Sequence, residues 1–578
     1  MPMGLVIATK YKQKNKIYNV VYKVISNFYV YIRLNLKATD MNPRSLAKAE
    51  LLTIILLACV PLFVTFPYRV NIFLSWEGAY RISQGQIPFK DFGTPLGGVY
   101  WFVPAIFFKL FGPKLITLVK AQVFINVIAA LSFRSILSSL EVKPGIRYTS
   151  ILLFCVSYSF INFWPWYNHT VIVYELAAIA MLLKYICGSK ARFGLLWLIA
   201  SAFFVCLSLL TKQDGGAMAF LICACLLAYH SLMEKKWIPF LVFIASFIGL
   251  LLLYILPLLP YGFGYWFNHG QAPHSSRVSA FDIADEFFGS SPWIKFYLFI
   301  IFLLLAISYK KWKSLFANRR VMMLLLLTLA MLGEAAVFQV TSYTPPDNNI
   351  FFHSFAITFI FSMLSFLLPT EFDKPGIVFL SAAGVLLWWS ASYWKYTQRI
   401  VAFMVPDKKE KKLAGEENIV NRKTYMLNDD TLDAPMNKWV ECGLKSFDRI
   451  YMPQGTADGI HRILNMDIVK QKKPIKVLNM SELTPLAVEI PYALEKNPQL
   501  PLWYHLGVGM FNQQAAIFEK RILQHEYDLV LFEYVPRLNN FYPFRTRDSL
   551  RVYYRLVDAF TAPRRGETNG TIEVYIKP

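Results

Sequence analysis

Long apolar stretches separated by short polar connections dominate the first two thirds of the chain. Runs long enough to cross a bilayer, which takes about 20 residues, begin near Leu51, Leu115, Ile146, Thr170, Phe193, Gly216, Trp237, Pro292, Val321, Asn349 and Gly376. A shorter aromatic run, Gly97 to Phe111, either crosses as well, giving about twelve spans, or lies in the interface, leaving about eleven. From about Arg399 the apolar runs shorten and a charged segment, Asp407–Lys412, intervenes. Beyond it, 474–480, 527–532 and 571–576 read as strands, and Ala515–Gln524 and Ser549–Phe560 as helices. The predicted organisation is a basic arm over 1–48, a multi-span membrane domain over 49–396 and a small α/β domain over 397–578. The predicted membrane domain has two long outer loops, 68–114 and 260–291.

Composition supports a membrane protein. Of 578 residues, 56% are hydrophobic, 16% aromatic and only 17% charged. The net charge of +22 raises the question of a nucleic-acid partner. However, residues 396–578, the stretch long enough to be a soluble domain, carry 26 basic against 22 acidic residues. Basic loops beside apolar segments are what membrane orientation produces, so no nucleic-acid partner is expected. The seven cysteines lie singly or within apolar stretches, and neither a disulfide framework nor a zinc site is expected. Residues 1–40 lack the apolar core of a secretory signal. Two readings stay open there: a start at Met41, or a basic amphipathic arm lying on the inner leaflet.

The Lys/Arg bias of short loops sets the orientation. With Gly97–Phe111 in the interface and the N-terminus inside, Arg134, Lys143, Arg147, Lys235, Lys310 and Arg320 fall on the cytoplasmic side. The α/β domain is then outside. The same arrangement puts Glu77, Asp91, Asp214, Asp282, Asp285, Glu286 and Asp347 outside, with Glu175 and Glu334 in the outer halves of spans. Carboxylates that are costly in lipid thus converge on one side, which points to a polar cavity opening outward. His353, at the outer start of a span, joins this set. Lys212 ends an apolar span beside Gly215-Gly216, where backbone could approach an anion.

The stretch Ser75-Trp76-Glu77-Gly78-Ala79-Tyr80-Arg81, followed by Asp91 and by Thr94-Pro95-Leu96-Gly97-Gly98, carries the most specific signal. It resembles the first periplasmic loop of the polytopic GT-C glycosyltransferases, in particular the group of the protein O-mannosyltransferases and the lipid A aminoarabinose transferase. Thr211-Lys212-Gln213-Asp214 is similar to that family's Thr-Lys turn. The resemblance implies a GT-C-like helical membrane fold and transfer of a sugar from a polyprenyl-phosphate donor to a glycan, lipid or protein acceptor. It also implies an inner-membrane location, with the N-terminus cytoplasmic and the C-terminal domain periplasmic. Glu77 or Asp91 would be the general base. Lys212, with Arg81, Lys90 and Arg277, would hold the donor phosphate, and Glu175, Glu334, Asp214 and His353 would line the cavity. The resemblance fixes no cofactor and leaves a divalent cation open. One departure stands out: Trp76 occupies the place where many relatives carry the first acid of an Asp-Glu pair. Two other readings remain open. One is a transporter or flippase of a lipid-linked solute. The other is an enzyme like an O-antigen ligase or polymerase, using Arg277, His269 and His274.

Overall fold

The computed structural model describes residues 41–63, 66–68, 72–159, 162–188, 193–267, 280–341, 351–368, 371–394, 397, 439–471, 474–502, 511–536, 542–564 and 569–578. Residues 1–40 of the N-terminal arm, His269, His274, Arg277, Asp347 and the Asp407–Lys412 segment lie outside the described residues.

Each of the eleven apolar runs contains a helix. In chain order the helices of ten or more residues in this part are α1 (Pro43–Cys59), α2 (Ile72–Ser83), α3 (Phe102–Phe111), α4 (Leu115–Ser139), α5 (Pro144–Ser159), α6 (Tyr167–Cys187) and α7 (Gly194–Leu209). They continue with α8 (Gln213–Glu234), α9 (Ile238–Ile255), α10 (Ala280–Ser290), α11 (Pro292–Ile307), α12 (Arg319–Thr341), α13 (Phe351–Leu367) and α14 (Pro375–Trp388). Several start as their sequence dictates. Asn42 accepts the Arg44 amide at 2.9 Å to cap α1, and proline occupies the first turn of α1, α9, α11 and α14, where its missing N–H costs nothing.

Among the described residues six helical segments can cross a membrane by length and apolarity, and α10 with α11, bent by 78°, adds a seventh if the two form one span. Gly194–Leu209, Phe351–Leu367 and Pro375–Trp388 are apolar but shorter, so the number eleven does not follow from length alone. The ten residues of α3 rise only about 15 Å, half the hydrocarbon thickness. One side of α3 is buried through Pro104, Ala105 and Phe108, while Ile106 and Leu110 are exposed. α9 is apolar all round, yet only 11% of its apolar window is buried, which fits a helix solvated by lipid.

The helices share one core. Phe133 stacks on Phe154 at 4.8 Å and meets Phe355 edge-on at 5.0 Å, joining α4, α5 and α13. Glu50, fully buried on α1, takes Arg134 and Arg147 at 2.7 Å each.

The C-terminal part is α/β. Its four-stranded sheet, in the order β5 (Val477–Met480), β7 (Leu529–Tyr534), β9 (Thr571–Ile576), β8 (Arg555–Thr561), is covered by α15 (Gln454–Asn465), α16 (Phe511–Leu523) and α17 (Phe544–Tyr553). The predicted helix over Ser549–Phe560 is corrected here. The helix ends at Tyr553, and Arg555–Thr561 is an edge strand antiparallel to β9.

Two further small sheets tie this domain to the first outer loop. β1 (Phe66–Pro67) pairs in parallel with β4 (Ile450–Pro453), which also pairs with β3 (Trp439–Glu441). β2 (Phe92–Gly93) pairs with β6 (Asn497–Pro501). One hydrophobic core runs from Ile72, Trp76, Tyr100 and Trp101 of the loop into Ile450, Ile460, Leu483 and Ile572. The loop and the domain therefore form one packed body.

Candidate active site

Helix α2 carries Glu77, and its local packing explains how the carboxylate is aimed. A Cβ at Gly78 would overlap the Trp101 ring, so only glycine lets α2 lie directly on that indole. Trp101 Nε1 donates to the Leu74 carbonyl at 2.9 Å, and Ser75 Oγ donates to the Pro165 carbonyl at 2.5 Å. The helix is thus pinned at both flanks of Glu77.

One turn on, Arg81 donates through Nε (3.0 Å) and Nη2 (2.8 Å) to Glu77 Oε1. Its Nη1 reaches Gln86 Oε1 at 3.0 Å and the Glu495 carbonyl at 2.7 Å. The guanidinium also lies 5.4 Å from the centre of the Phe92 ring. Burial pushes the Glu77 carboxyl above the usual carboxylate range, against the pull of the Arg81 charge.

Glu77 and Arg81 form one wall of a cleft with about 70 Å³ of room for water-sized groups. The opposite wall comes from the C-terminal domain through Asn479, Ser481, Thr484, Tyr492, Glu495 and Asn497. Glu495 itself is held by Arg521 at 2.5 Å and by the Tyr527 hydroxyl at 2.8 Å. Behind this wall Arg564 is buried between Glu482 (3.1 Å) and Glu533, and Tyr68 of the first loop donates to the Glu482 carbonyl. Sequence reasoning missed all of these groups, because a lone Asn, Thr or Tyr in an α/β domain carries no spacing signal.

Asp91 and Lys90 sit elsewhere in the loop. Asp91 Oδ2 accepts the Ile87 amide at 2.7 Å, and its carbonyl takes the Asn497 amide at 2.7 Å, so it shapes the turn that delivers β2 to β6. Lys90 Nζ lies 5.1 Å from the centre of the Tyr261 ring.

A second polar group lies among the helices. Lys212 Nζ pairs with Asp214 Oδ2 at 2.7 Å and sits 4.8 Å from the centre of the Phe338 ring. Glu175 and Glu334, both fully buried, lie against each other, and Glu334 is also close enough to Asp214 and Lys212 to feel their charges. Four of the expected cavity and phosphate residues therefore do come together. The role read for the two glycines is corrected: a Cβ at Gly215 would meet Val171 and Phe338 at 2.8 Å, and one at Gly216 would overlap the Leu209 backbone. They allow α8 to pack rather than opening backbone to an anion.

The segment 97–101 bridges the two groups. Trp101 supports α2, while Gly97 rests on the Leu210 carbonyl, which also accepts the Val99 amide at 3.3 Å. His353 is apart from both: its Nδ1 is 2.9 Å from the Tyr297 hydroxyl, and its ring packs on Trp293 at 4.3 Å.

The carboxylates that line the Glu77 cleft are already matched to protein donors, which disfavours a divalent cation there. Glu77 Oε1 is taken by a guanidinium, and both oxygens of Glu495 are occupied by Arg521 and Tyr527. Among the described residues no group of three or more His, Cys, Asp or Glu could hold a metal ion.

No family model and no curated protein matches the chain. Solved structures do. The chain is similar to ArnT from Cupriavidus metallidurans in the apo state, at 13% identity over 90% of this chain and 96% of that one, with a TM-score of 0.41. For the same protein bound to undecaprenyl phosphate the identity is 13%, the coverage 91% and 97%, and the TM-score 0.44. It is also similar to an Archaeoglobus fulgidus oligosaccharyltransferase in complex with zinc and sulfate, at 13% identity over 59% of this chain and 51% of that one, with a TM-score of 0.35. At this identity and overlap the likeness is distant.

Proposed function

We propose that the chain is a membrane glycosyltransferase that moves a sugar from a polyprenyl-phosphate donor to a hydroxyl acceptor. The transfer takes place at the outer face of the cytoplasmic membrane, in a protein of about eleven spans whose C-terminal domain is extracytoplasmic. The observation that carries this reading is the Glu77–Arg81 pair, held at 2.8 Å inside a cleft shared by the first outer loop and that domain. The resemblance of the Trp76-Glu77-Gly78-Ala79-Tyr80 segment to GT-C first loops supports it.

In the step proposed, the acceptor oxygen attacks the anomeric carbon and the bond from that carbon to the phosphate oxygen breaks. The bonding pair leaves with polyprenyl phosphate, and the acceptor proton passes to the Glu77 carboxylate. Arg81 holds that carboxylate in place and keeps it charged. Lys212, a buried cation at the start of α8, offsets charge on the departing phosphate. Asp91, bonded to its own turn, is assigned a structural role.

The test is transfer of labelled sugar from synthetic polyprenyl-phosphate donors by purified protein in lipid, comparing wild type with Glu77→Gln and Asp91→Asn. Loss of transfer with retained donor binding in Glu77→Gln alone supports the reading. The buried Glu175–Glu334 pair favours a second reading, a transporter, because paired acids inside a membrane domain are a common proton path. A wild type that binds donors yet transfers no sugar to any acceptor would move the assignment there.

A further inference from the structure

A second cavity lies at the end of the helical bundle remote from Lys212. It offers about 270 Å³ of room where the turn between α4 and α5 meets the start of α12 and the end of α13. Lys212 sits beside Phe338, late in α12, whereas Arg320, Val321 and Leu324 of its first turns line this cavity. The helix rises about 21 Å between Leu324 and Phe338, so the two places lie toward opposite faces of the membrane domain. On the orientation read from the Lys/Arg bias, the cavity is on the cytoplasmic side. The neighbouring chain marks its depth. Between α11 and α12, Tyr309, Trp312 and Phe316 are exposed among Lys310, Lys311 and Lys313, the mixture of aromatic and basic side chains found where a membrane meets water. Lys311 Nζ lies 4.9 Å from the centre of the Phe366 ring, and Phe366 is part of the cavity wall. The cavity therefore opens at headgroup level.

Its rim is basic. Lys143 lines it and makes no ion pair among the described residues, and Arg320 pairs with Glu141, whose side chain is 63% exposed. Arg319 turns to Glu234 instead. The nearby helix amides are already matched: Asn318 Oδ1 takes those of Arg320 and Val321, and Asp373 Oδ1 takes that of Gly145. Charge at the rim thus rests on side chains, with Lys143, Arg320 and Lys311 against Glu141, the one carboxylate among the lining residues. Further in, Leu140, Val142, Ile146 and Leu324 make the walls apolar, and Ser362 and Ser365 add two hydroxyls from one face of α13. Ser362 Oγ donates to the Thr358 carbonyl at 2.7 Å. Ser365 Oγ is sealed from water and has no hydrogen-bond partner among the described residues, a costly state for a hydroxyl.

We infer that this cavity holds the headgroup of an anionic glycerophospholipid, with Lys143 and Arg320 on its phosphate and Ser365 Oγ donating to a glycerol or ester oxygen. Basic pockets between membrane helices on this side suit such headgroups. Free phosphate would meet the cations but leave the apolar walls in water. A polyprenyl phosphate has only hydrocarbon beyond its phosphate, which gives Ser365 no acceptor. A glycerophospholipid brings the anion, the ester oxygens and acyl chains that continue over the exposed Phe366 and Leu368. Bound there, it ties the α4–α5 turn to α12 and α13. The assignment does not depend on the transferase reading.

The experiment is native mass spectrometry of the purified full chain with phosphatidylglycerol and phosphatidylcholine, with thermal melting as a second readout. Wild type is expected to retain phosphatidylglycerol in preference to phosphatidylcholine and to melt at a higher temperature in its presence. Stoichiometric polyprenyl phosphate, whose proposed place is at Lys212, and millimolar inorganic phosphate should not displace it. Lys143→Gln should weaken phosphatidylglycerol binding about 5-fold, the worth of one basic residue beside an anionic lipid. Glu141→Gln removes the opposing carboxylate and should strengthen binding. Both residues are exposed, so neither change threatens the fold. Ser365→Ala should weaken binding by less than Lys143→Gln, and Lys313→Gln, an equal change of charge outside the cavity, should bind as wild type. Equal retention of the two lipids by wild type overturns the site, as does equal binding by the Lys143, Glu141 and Lys313 variants. Displacement by polyprenyl phosphate or by inorganic phosphate, or an unchanged Ser365→Ala, overturns the glycerophospholipid as its occupant.

Discussion

Arg81 and Glu495 are 414 positions apart in the chain, yet Arg81 Nη1 donates to the Glu495 carbonyl at 2.7 Å. The same guanidinium holds Glu77 through Nε and Nη2. One side chain therefore links the proposed base to the backbone of the C-terminal domain, so the position of Glu77 depends on how that domain docks. Restricting a guanidinium to one geometry in this way removes the entropy that makes exposed ion pairs weak.

The charge state of Glu77 follows from the same contacts. Burial raises its pKa and Arg81 lowers it, with burial the larger effect. A base is active when deprotonated, so transfer should be lost as pH falls through a midpoint above 4.5, the ordinary glutamate value. In Arg81→Gln the lowering contribution is gone, and the acid limb of kcat/KM should move to higher pH. A pH–rate profile of the two proteins checks this; an acid limb that stays in place in the variant would detach the limb from Glu77.

Gly97 touches the Leu210 carbonyl so closely that a Cβ would overlap it. Because backbone cannot yield as a flexible side chain does, Gly97→Ala should displace the bridge between the Glu77 loop and the Lys212 turn. Overpacking of this kind costs about 1–3 kcal/mol. Thermal melting in detergent should show the loss, and transfer should fall more than stability does. Gly112→Ala is a poor control because its φ is +82°, whereas Gly289 faces open space and Gly289→Ala should leave both quantities unchanged.

Arg564 lies between two fully buried carboxylates, Glu482 and Glu533. Arg564→Met would leave them uncompensated, which costs about 3–5 kcal/mol. The triple variant Arg564→Met, Glu482→Gln, Glu533→Gln should recover part of that stability. Limited proteolysis of the C-terminal domain reads out both, and a single variant as resistant as wild type would show that the network is dispensable.

The membrane helices were legible because crossing lipid demands length and apolarity, and these survive without knowledge of any partner. α9, barely buried by protein, is the clearest instance. The short helices were less so: Phe351–Leu367 and Pro375–Trp388 are apolar enough but fall below a full crossing. Glu175 and Glu334 stand out in the sequence as costly acids within spans, but the approach of Glu334 to Glu175, Asp214 and Lys212 depends on the packing of α6, α8 and α12. β1 and β2 have two residues each, too few for any alternation to register, so the joining of loop and domain was invisible. Leu556 and Phe560 are spaced as on a helix, yet Arg555–Thr561 gains more by pairing with β9.

Lys212 provides the last test, because its ion pair with Asp214 makes opposite predictions for the two partners. The pair is largely buried, with side chains 9% and 22% exposed, so each charge is strongly felt by whatever enters beside it. If Lys212 offsets the donor phosphate, Lys212→Gln removes a charge-assisted contact of about 1.5–3 kcal/mol, and affinity for polyprenyl phosphate should fall about 10- to 100-fold. Asp214→Asn removes the competing anion and leaves the cation in place, so affinity for the same phosphate should hold or rise. Lys212→Arg keeps the charge and should retain most of the binding. Direct titration of the three variants with polyprenyl phosphate, without acceptor, separates these effects from catalysis. Equal affinities for wild type and Lys212→Gln would move the phosphate site away from the start of α8.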